Sequence, residues 1–497
     1  MKFHIICTLA FIALFITPKV HAEWNDSIRY QGEIGLNFAG GAHTPFWLMS
    51  NKHGLSSEKR NNAYLRLAAF HDMDPNKRFT WGAGADIAVG ARFTSIFMVN
   101  QLFAEARYRC LNLLVGSKNI PGYLSDPELS SGNLLYSGNA RPIPQIRAGI
   151  FDYASVWGTK GWFSIKGYLA FGKFTDNNWI KSWVNPDSKY ALNTLYHSKA
   201  LFIKGGNADK FPLEYEMGLE MATEFGAESY NMYRKGDIFK MPTGFKNWIK
   251  AVIPLKGDAS TPNSEQTNVE GNMLGNWNFA LSWKPKADWS LKLYYQHFFE
   301  DHSMLWIQYP WKDGLYGIQA KLPQNRWVSD IVYEFIYMKD QSGPVYWDHT
   351  PEIDEQVSGR DNYYNHYLYN GWQHWGMGIG NPFIMSPIYN GNHYLRFTST
   401  RMWGHHLGFK GQPTDEIGYR ILTSAQKSWG TYGQPFSEPK TSFNLLAEVN
   451  YTPQSLPGWR ADLAFGMDAG SLIGNSYGVM LKISKTGWLF SPKKQKK

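Results

Sequence analysis

Four glutamates, Glu214, Glu216, Glu220 and Glu224, share one parity along the chain. An extended segment would stack their carboxylates on a single face. Paired carboxylates can protonate a glycosidic oxygen and activate a water, which is glycosidase chemistry; a hydrated, charged interior is the other reading of the row. "GNSYG", Gly474 to Gly478, has the G-x-S-x-G form of a serine nucleophile elbow. Such an elbow joins a strand to a helix, whereas here an alternating, strand-like run follows. "GMGIG", at Gly376, Gly378 and Gly380, has neither the spacing nor the strand-to-helix context of a dinucleotide fingerprint, and the adjacent His405 and His406 project to opposite faces of any strand. The expectation is no catalytic residue, no metal site and no cofactor. A different chemistry is concentrated in "YYNHYLYNGWQHWGMGIGNPF", residues 363 to 383, rich in aromatic rings and containing four glycines. It follows neither a period of 2 nor one of 3.6, so it reads as an aromatic loop whose task depends on its scaffold.

The scaffold begins with a leader. "MKFHIICTLAFIALFITPKVHA" has Lys2, an apolar stretch from Ile5 to Ile16, and Val20 and Ala22 before Glu23, the pattern of a secretory signal cleaved after Ala22. The apolar stretch is shorter than the ~20 residues of a spanning helix. Cys7 lies within the leader, so Cys110 is left alone and neither a disulfide framework nor a cysteine zinc site is available. Losing Lys2 and Lys19 leaves a small basic excess, much of it in the tail "KKQKK", over a nearly balanced body. Nucleic-acid binding, which needs a concentrated basic face and a recognisable module, is not expected.

Aromatic residues at 16% and 47 glycines are high for a soluble enzyme, yet mean hydropathy is -0.40 and no later apolar run approaches 18 residues. An exported chain of this kind points to a transmembrane β-barrel. In "TWGAGADIAVGARF" Trp81, Ala83, Ala85, Ile87, Val89, Ala91 and Phe93 alternate with Thr80, Gly82, Gly84, Asp86, Gly90 and Arg92. The rhythm recurs at Tyr215 to Met221 against Glu214 to Glu220, at Trp277 to Trp283, at Phe443 to Tyr451 and at Tyr477 to Ile483. A lipid-facing apolar row opposite a polar lumen row produces it. A soluble β-sandwich also alternates, but its strands are usually ~5 to 6 residues long, shorter than these runs. The fold expected is all-β, a transmembrane antiparallel barrel of about 18 strands, formed by residues 23–497 with its lumen partly filled by loops. Residues 257 to 272, rich in Ser, Thr, Asn and Gly, read as a long mobile loop. Just before it Phe245, Trp248, Ile249 and Val252 fall at helical spacing between Pro242 and Pro254, predicting a short helix at 242–253 on the barrel rim.

Five stretches in order, "HTPFWLMSNKHGL", "ARPIPQIRAGI", "YYQHFFEDHSML", "NHYLYNGWQHWGMGIGNPF" and "SWGTYG", resemble the Wzi-like capsule-assembly proteins of the outer membrane in their Bacteroides-type form. The resemblance implies an outer-membrane barrel that binds capsular polysaccharide and helps hold it at the cell surface without a chemical step. Its implied partners are capsular polysaccharide, outer-membrane lipid and, as a further candidate, the capsule export machinery. Better-known members carry a helical bundle at the periplasmic end; this sequence shows little helical periodicity before its first strands.

On that reading the aromatic loop acquires a task. Sugar rings present C–H faces that pack on aromatic rings, and hydroxyls that need Asn, His and Tyr partners. The contact residues expected are Tyr363, Asn365, His366, Tyr367, Trp372, Trp375 and Asn381; a packed plug or interface girdle is the equal alternative. Arg141, Arg147, Arg401 and Arg420 are expected in the lumen with Glu214, Glu216, Glu220 and Glu224, paired across the barrel or with acidic sugars. The rival functions are a porin for sugars or other solutes and an outer-membrane hydrolase or acyltransferase.

Overall fold

The computed structural model describes residues 28–262, 265–266, 269–286, 288–301, 312–323, 326–344 and 359–490. The leader, the end of "YYQHFFEDHSML" after Asp301 and the lysine-rich tail lie outside the described residues. Eighteen strands form one sheet. In chain order they are β1 (Ile28–Gly41), β2 (Asn62–His71), β3 (Phe79–Ala91), β4 (Phe97–Tyr108), β5 (Leu111–Ser117), β6 (Gln145–Ser155), β7 (Phe163–Lys173), β8 (Leu195–Gly205) and β9 (Leu213–Phe225). The second half comprises β10 (Asn272–Lys286), β11 (Trp289–Glu300), β12 (Gly314–Lys321), β13 (Asp330–Tyr337), β14 (Met402–Gly411), β15 (Ile417–Gly430), β16 (Pro435–Tyr451), β17 (Trp459–Gly470) and β18 (Ser476–Phe490). Each pairs antiparallel with its chain neighbours, and β1 closes on β18 from Ile28↔Phe490 to Gly41↔Ser476. Closure leaves no strand edge, which a sheet in hydrocarbon requires.

Side-chain parity follows the alternation in the sequence. Trp81, Ile87 and Val89 stand exposed on the outer wall while Asp86 between them is fully buried; Tyr215 and Met217 point out while Glu214 and Glu220 are buried. The rhythm of β3 ends at Ala91, however. Phe93, expected on the apolar outer row, turns inward onto Tyr64, Ala88 and Met98 because the chain has already left the strand.

The two ends of the barrel differ. Both described termini and all the connections of two to eight residues that follow β2, β4, β6, β8, β10, β12, β14 and β16 lie at one end. The long segments 42–61, 118–144, 174–194, 226–271 and 338–401 leave from the other. Short turns on the periplasmic side and long loops outside are the usual outer-membrane asymmetry.

Several long segments fold back into the lumen. Helix α1 (Phe46–Met49) is buried at all four residues, and Trp47 donates its indole N–H to Ser424 Oγ on β15 at 2.7 Å. Segment 118–144 runs down to the short-turn end: Lys292 Nζ donates to Leu124 O (2.8 Å) and Lys410 Nζ meets Glu128 (2.6 Å). The largest hydrophobic cluster joins α1, this segment, helix α2 (Asn177–Trp183) and residues 363–397 to inward positions on many strands.

The structure refines two expectations here. Helix α3 (Phe245–Val252) forms within the predicted 242–253 and lies at the long-loop rim, on the outward side of the wall. Its Trp248 packs on Phe171 of β7 and Phe225 of β9, which share the outward parity of Leu169 and Leu213. The 257–272 segment is tied down where it is described. Glu265, Val269 and Glu270 are buried, Gly271 N–H donates to Glu265 Oε2 at 2.5 Å, Lys250 Nζ pairs with Glu270 at 2.7 Å, and Asn272 already opens β10. Its polar composition hid two buried carboxylates that act as anchors.

Candidate functional site: the lumen plug and the long-loop surface

The aromatic stretch is the heart of the plug. Residues 373–374 and 377–378 pair as a minimal ribbon whose two central residues, Trp375 (φ 56°) and Gly376 (φ 80°), are both left-handed, as a type I′ hairpin turn requires. A Cβ on Gly376 would lie 2.6 Å from the Trp179 ring, and one on Gly380 2.1 Å from Leu134 O. These glycines let backbone pass against neighbouring segments. Trp375 holds its left-handed backbone through an N–H bond to Asp176 Oδ2 (3.0 Å), and the Arg141 guanidinium lies 4.3 Å over its ring.

The seven expected contact residues divide sharply. Tyr363, Trp372 and Asn381 have no exposed surface. Tyr363 donates to Asp313 Oδ2 (3.1 Å), Trp372 donates its indole N–H to Leu135 O (2.7 Å), and Asn381 donates to Ser131 Oγ (3.1 Å) and to Gly132 O. Asn365 bridges Asn362 and both backbone groups of Phe397. These four are bonded inward and act as structural members of the plug. Trp375 is half-buried against Trp179 and Arg141. His366 and Tyr367 lie nearer the surface, and Tyr367 is 39% exposed. His366 Nδ1 accepts from Leu368 N–H (3.1 Å), while Nε2 stands 3.5 Å from Glu265 Oε1. Burial pushes His366 down to about 3 and Glu265 up to about 7, so between those values the pair is neutral and forms no ion pair.

The lumen carboxylates are fastening points. Glu334 accepts from Ser130 Oγ (2.6 Å), Ser131 N–H (2.7 Å) and Tyr294 OH (2.6 Å); Glu300 accepts Tyr364 N–H (2.5 Å); Asp468 accepts Phe46 N–H (2.8 Å). In the predicted row Glu214 pairs with Lys204 (2.9 Å) and Lys284 (2.5 Å), Glu216 accepts from Tyr153 OH (2.7 Å), Glu220 from Asn278 (3.4 Å) and Glu224 from Asn272 (2.6 Å). All four face inward, and each is engaged by the barrel's own groups.

Of the four arginines, Arg420 makes the cross-strand carboxylate pair, to Glu448 at 3.0 Å. Arg147 instead lies 3.4 Å over the Tyr168 ring and donates to Tyr123 OH (2.5 Å). Arg141 donates to Thr94 and Ser95, and Arg401 donates to Lys339 O and lies over Tyr432. Arg141 and Arg401 sit beyond the strands at the long-loop end.

Of the motifs set aside on sequence, Ser476 opens β18 and accepts from His43 N–H, with no helix following. His405 faces outward beside Tyr333 OH (2.8 Å) while His406 faces inward to Leu129 O (2.7 Å).

The long-loop end presents aromatic platforms that sequence reading missed. On α2, Trp179 stacks on Trp183 with centroids 5.1 Å apart, and the exposed His393 lies flat on Trp183 at 4.8 Å and 13°. Beside them Tyr190 and Tyr230 stack at 4.9 Å and 3°, bordered by Glu228 and Lys240. One surface carries both pairs. Asn185 N–H donates to His393 O (3.0 Å), Asn231 Nδ2 donates to Pro186 O and Ser188 O (2.9 Å each), and Ser229 Oγ donates to Leu368 O (2.7 Å). Lys189 Nζ donates to His366 O (2.6 Å) and Tyr369 O (2.7 Å), tying this surface to the aromatic stretch. The i, i+4 tryptophans of "NNWIKSW" were the available signal.

At the opposite end two cavities lie beside the plug. One of about 820 Å³ is lined by Lys284, Lys286, Lys292, Lys321, Glu216 and Trp289; another of about 560 Å³ is lined by Lys410, Arg420, Glu448, Arg460 and Lys482.

No protein-family model and no curated protein sequence matches this chain. Among solved structures it is similar to Wzi of Escherichia coli, described as an outer-membrane protein involved in group 1 capsule assembly and a carbohydrate-binding β-barrel. Identity is 12%, 91% of this chain and 83% of that chain are covered, and the TM-score is 0.56. Pseudomonas aeruginosa OccK3 (OpdO) matches at 11% identity, 93% and 96% coverage and TM-score 0.46, and OprD of the same organism at 8%, 94% and 96%, and 0.45. At these identities likeness extends to the fold alone, and this chain has a Wzi-like barrel fold.

Proposed function

We propose that this protein is a non-catalytic outer-membrane barrel, exported by its leader, that binds capsular polysaccharide and helps hold it at the cell surface. The observation that carries this reading is the aromatic surface of the long-loop end, set on a lumen filled with packed chain. The exposed His393 stacked on Trp183, the half-buried pair Tyr190 and Tyr230, and Tyr367 place rings among Asn185, Asn231 and charged groups, the mixture that C–H faces and hydroxyls of sugars need. The five Wzi-like motifs and the carbohydrate binding described for the E. coli barrel agree with it. The lumen carboxylates are engaged in fastening the plug and the wall, which favours binding over hydrolysis. Polysaccharide contact moves, on this reading, from the buried Tyr363, Trp372 and Asn381 and the inward-bonded Asn365 to the surface formed by Trp183, His393, Tyr190, Tyr230, His366 and Tyr367.

The test is the Trp183→Ala, Tyr230→Ala double variant, assayed with a monovalent oligosaccharide of the producing organism's own capsule. Two lost stacking contacts should weaken affinity about ten- to a hundredfold, with heat-modifiable gel mobility kept. Unchanged affinity in a normally folded variant would reject this surface. The two cavities at the short-turn end favour the solute-porin reading; a steady single-channel current from the purified barrel would support it in place of ours.

A further inference from the structure

Helix α3 divides its faces in an unusual way. Asn247 and Ala251 are buried against the barrel, and Trp248 covers Phe171, Phe225 and through Phe171 the ring of His197. Phe245 (81% exposed), Ile249 and Ile253 continue as an apolar stripe away from the wall, while Lys250 on the remaining side pairs with Asp258 and Glu270 of the loop above. A short helix lying flat with an apolar outer stripe and a cationic upper side has the form of an interfacial helix. It sits where the outer wall of β7–β9 reaches the long-loop end.

Directly below it the wall is hollowed. A groove of about 480 Å³ runs between Ala148, Gly167, Leu169, Leu201, Leu219 and Met221. These are outward positions, registered as Ala148↔Leu169↔Lys199↔Met221 and Gly167↔Leu201↔Leu219. Gly167 keeps the floor open: a Cβ there would lie 2.6 Å from Ala200 O. Lys199 lines the top of the groove, on the lipid-facing parity, with its Nζ 3.3 Å from Ala251 O at the end of α3. Among the described residues no carboxylate pairs with it. An unpaired cation on the lipid side, at the interface level and above an apolar trough, is complementary to a lipid whose phosphate and acyl chain are joined in one molecule.

We propose that the outer wall beneath α3 is a binding site for one anionic membrane lipid, its acyl chain lying in the Ala148–Leu219 groove and its phosphate meeting Lys199. The site depends on the barrel lying in a membrane and is independent of the glycan reading. Full-length protein in a neutral detergent, examined by native mass spectrometry, provides the test with three probes: phosphatidic acid, diacylglycerol of the same chains, and glycerol 3-phosphate. Phosphatidic acid should bind about tenfold more tightly than diacylglycerol, the gain of one charge-assisted hydrogen bond, and glycerol 3-phosphate should not bind measurably. Lys199→Gln should bring phosphatidic acid to the diacylglycerol level. Ala148→Phe, which fills the groove from an exposed position away from α3, should weaken both lipids. Equal binding of the two lipids by the parent, parental phosphatidic acid binding by either variant, or glycerol 3-phosphate binding as tight as phosphatidic acid would each overturn the proposal.

Discussion

At the residue scale the tryptophans that look alike in sequence have different tasks. Trp372 is enclosed, stacks near Tyr196 and donates to Leu135 O. Trp372→Ala should therefore cost about 3–5 kcal/mol, the range for emptying a large aromatic site. The loss should be read as a lower thermal midpoint and faster trypsin cleavage of the plug. Trp183→Ala, half-buried between Trp179 and His393, should lower the midpoint less than Trp372→Ala does. Asp313 gives a pH signature. It accepts from Gln341 N–H (2.5 Å), Asp340 N–H (3.0 Å) and Tyr363 OH (3.1 Å), yet burial dominates and raises it from the ordinary 3.8 to about 7. The folded chain then holds a proton that the unfolded chain releases between those values. Its contribution to stability is complete below about pH 4 and is lost as pH rises through 7. Thermal midpoints measured from pH 4 to 8 should fall less steeply in Asp313→Asn than in the parent, and parallel curves would contradict the assignment.

At the scale of elements the barrel wall can be tested by neighbours on opposite faces. Leu281 of β10 is 43% exposed on the outer wall, while Ser282 faces the 820 Å³ cavity. Leu281→Arg should destabilise by about 1–4 kcal/mol, the interfacial-to-midplane range for a lipid-facing arginine. Ser282→Arg has a hydrated space to enter and should cost less, as read from urea-induced unfolding in lipid vesicles. A pair at mid-wall such as Leu219 and Glu220 discriminates less well. Glu220 lies in packed lumen beside Asn278, so an arginine there is penalised by crowding as well.

At the scale of the whole molecule the asymmetry of the two ends sets an orientation. Cys110 is an exposed free thiol on the two-residue turn between β4 and β5, at the short-turn end. Gly391, exposed with open space around it, marks the long-loop end. A membrane-impermeant maleimide should leave Cys110 unlabelled in intact cells and label it once the outer membrane is permeabilised. Gly391→Cys should label in both conditions. Labelling of Cys110 in intact cells would invert the orientation and move the proposed glycan surface to the periplasm.

The alternation of apolar and polar residues by itself determined the wall. Period two puts Trp81, Ile87 and Val89 on one side and Asp86 on the other whatever the remaining chain does, and the length of the chain then set about 18 strands. It also located α3, because helical spacing is local. The side of the wall on which α3 lies was decided by contacts with Phe171 and Phe225, far away in the chain. The aromatic stretch shows the same division. Its composition marked a special segment, but stacking on sugar and packing in a plug use the same rings, and nothing in 363–383 distinguishes them. The distinction came from residues more than sixty and two hundred positions away, where Glu300 accepts the Tyr364 N–H and Leu135 the Trp372 indole. Burial is a property of the assembled lumen, so tertiary structure alone decided which rings are enclosed in the plug and which lie toward its surface.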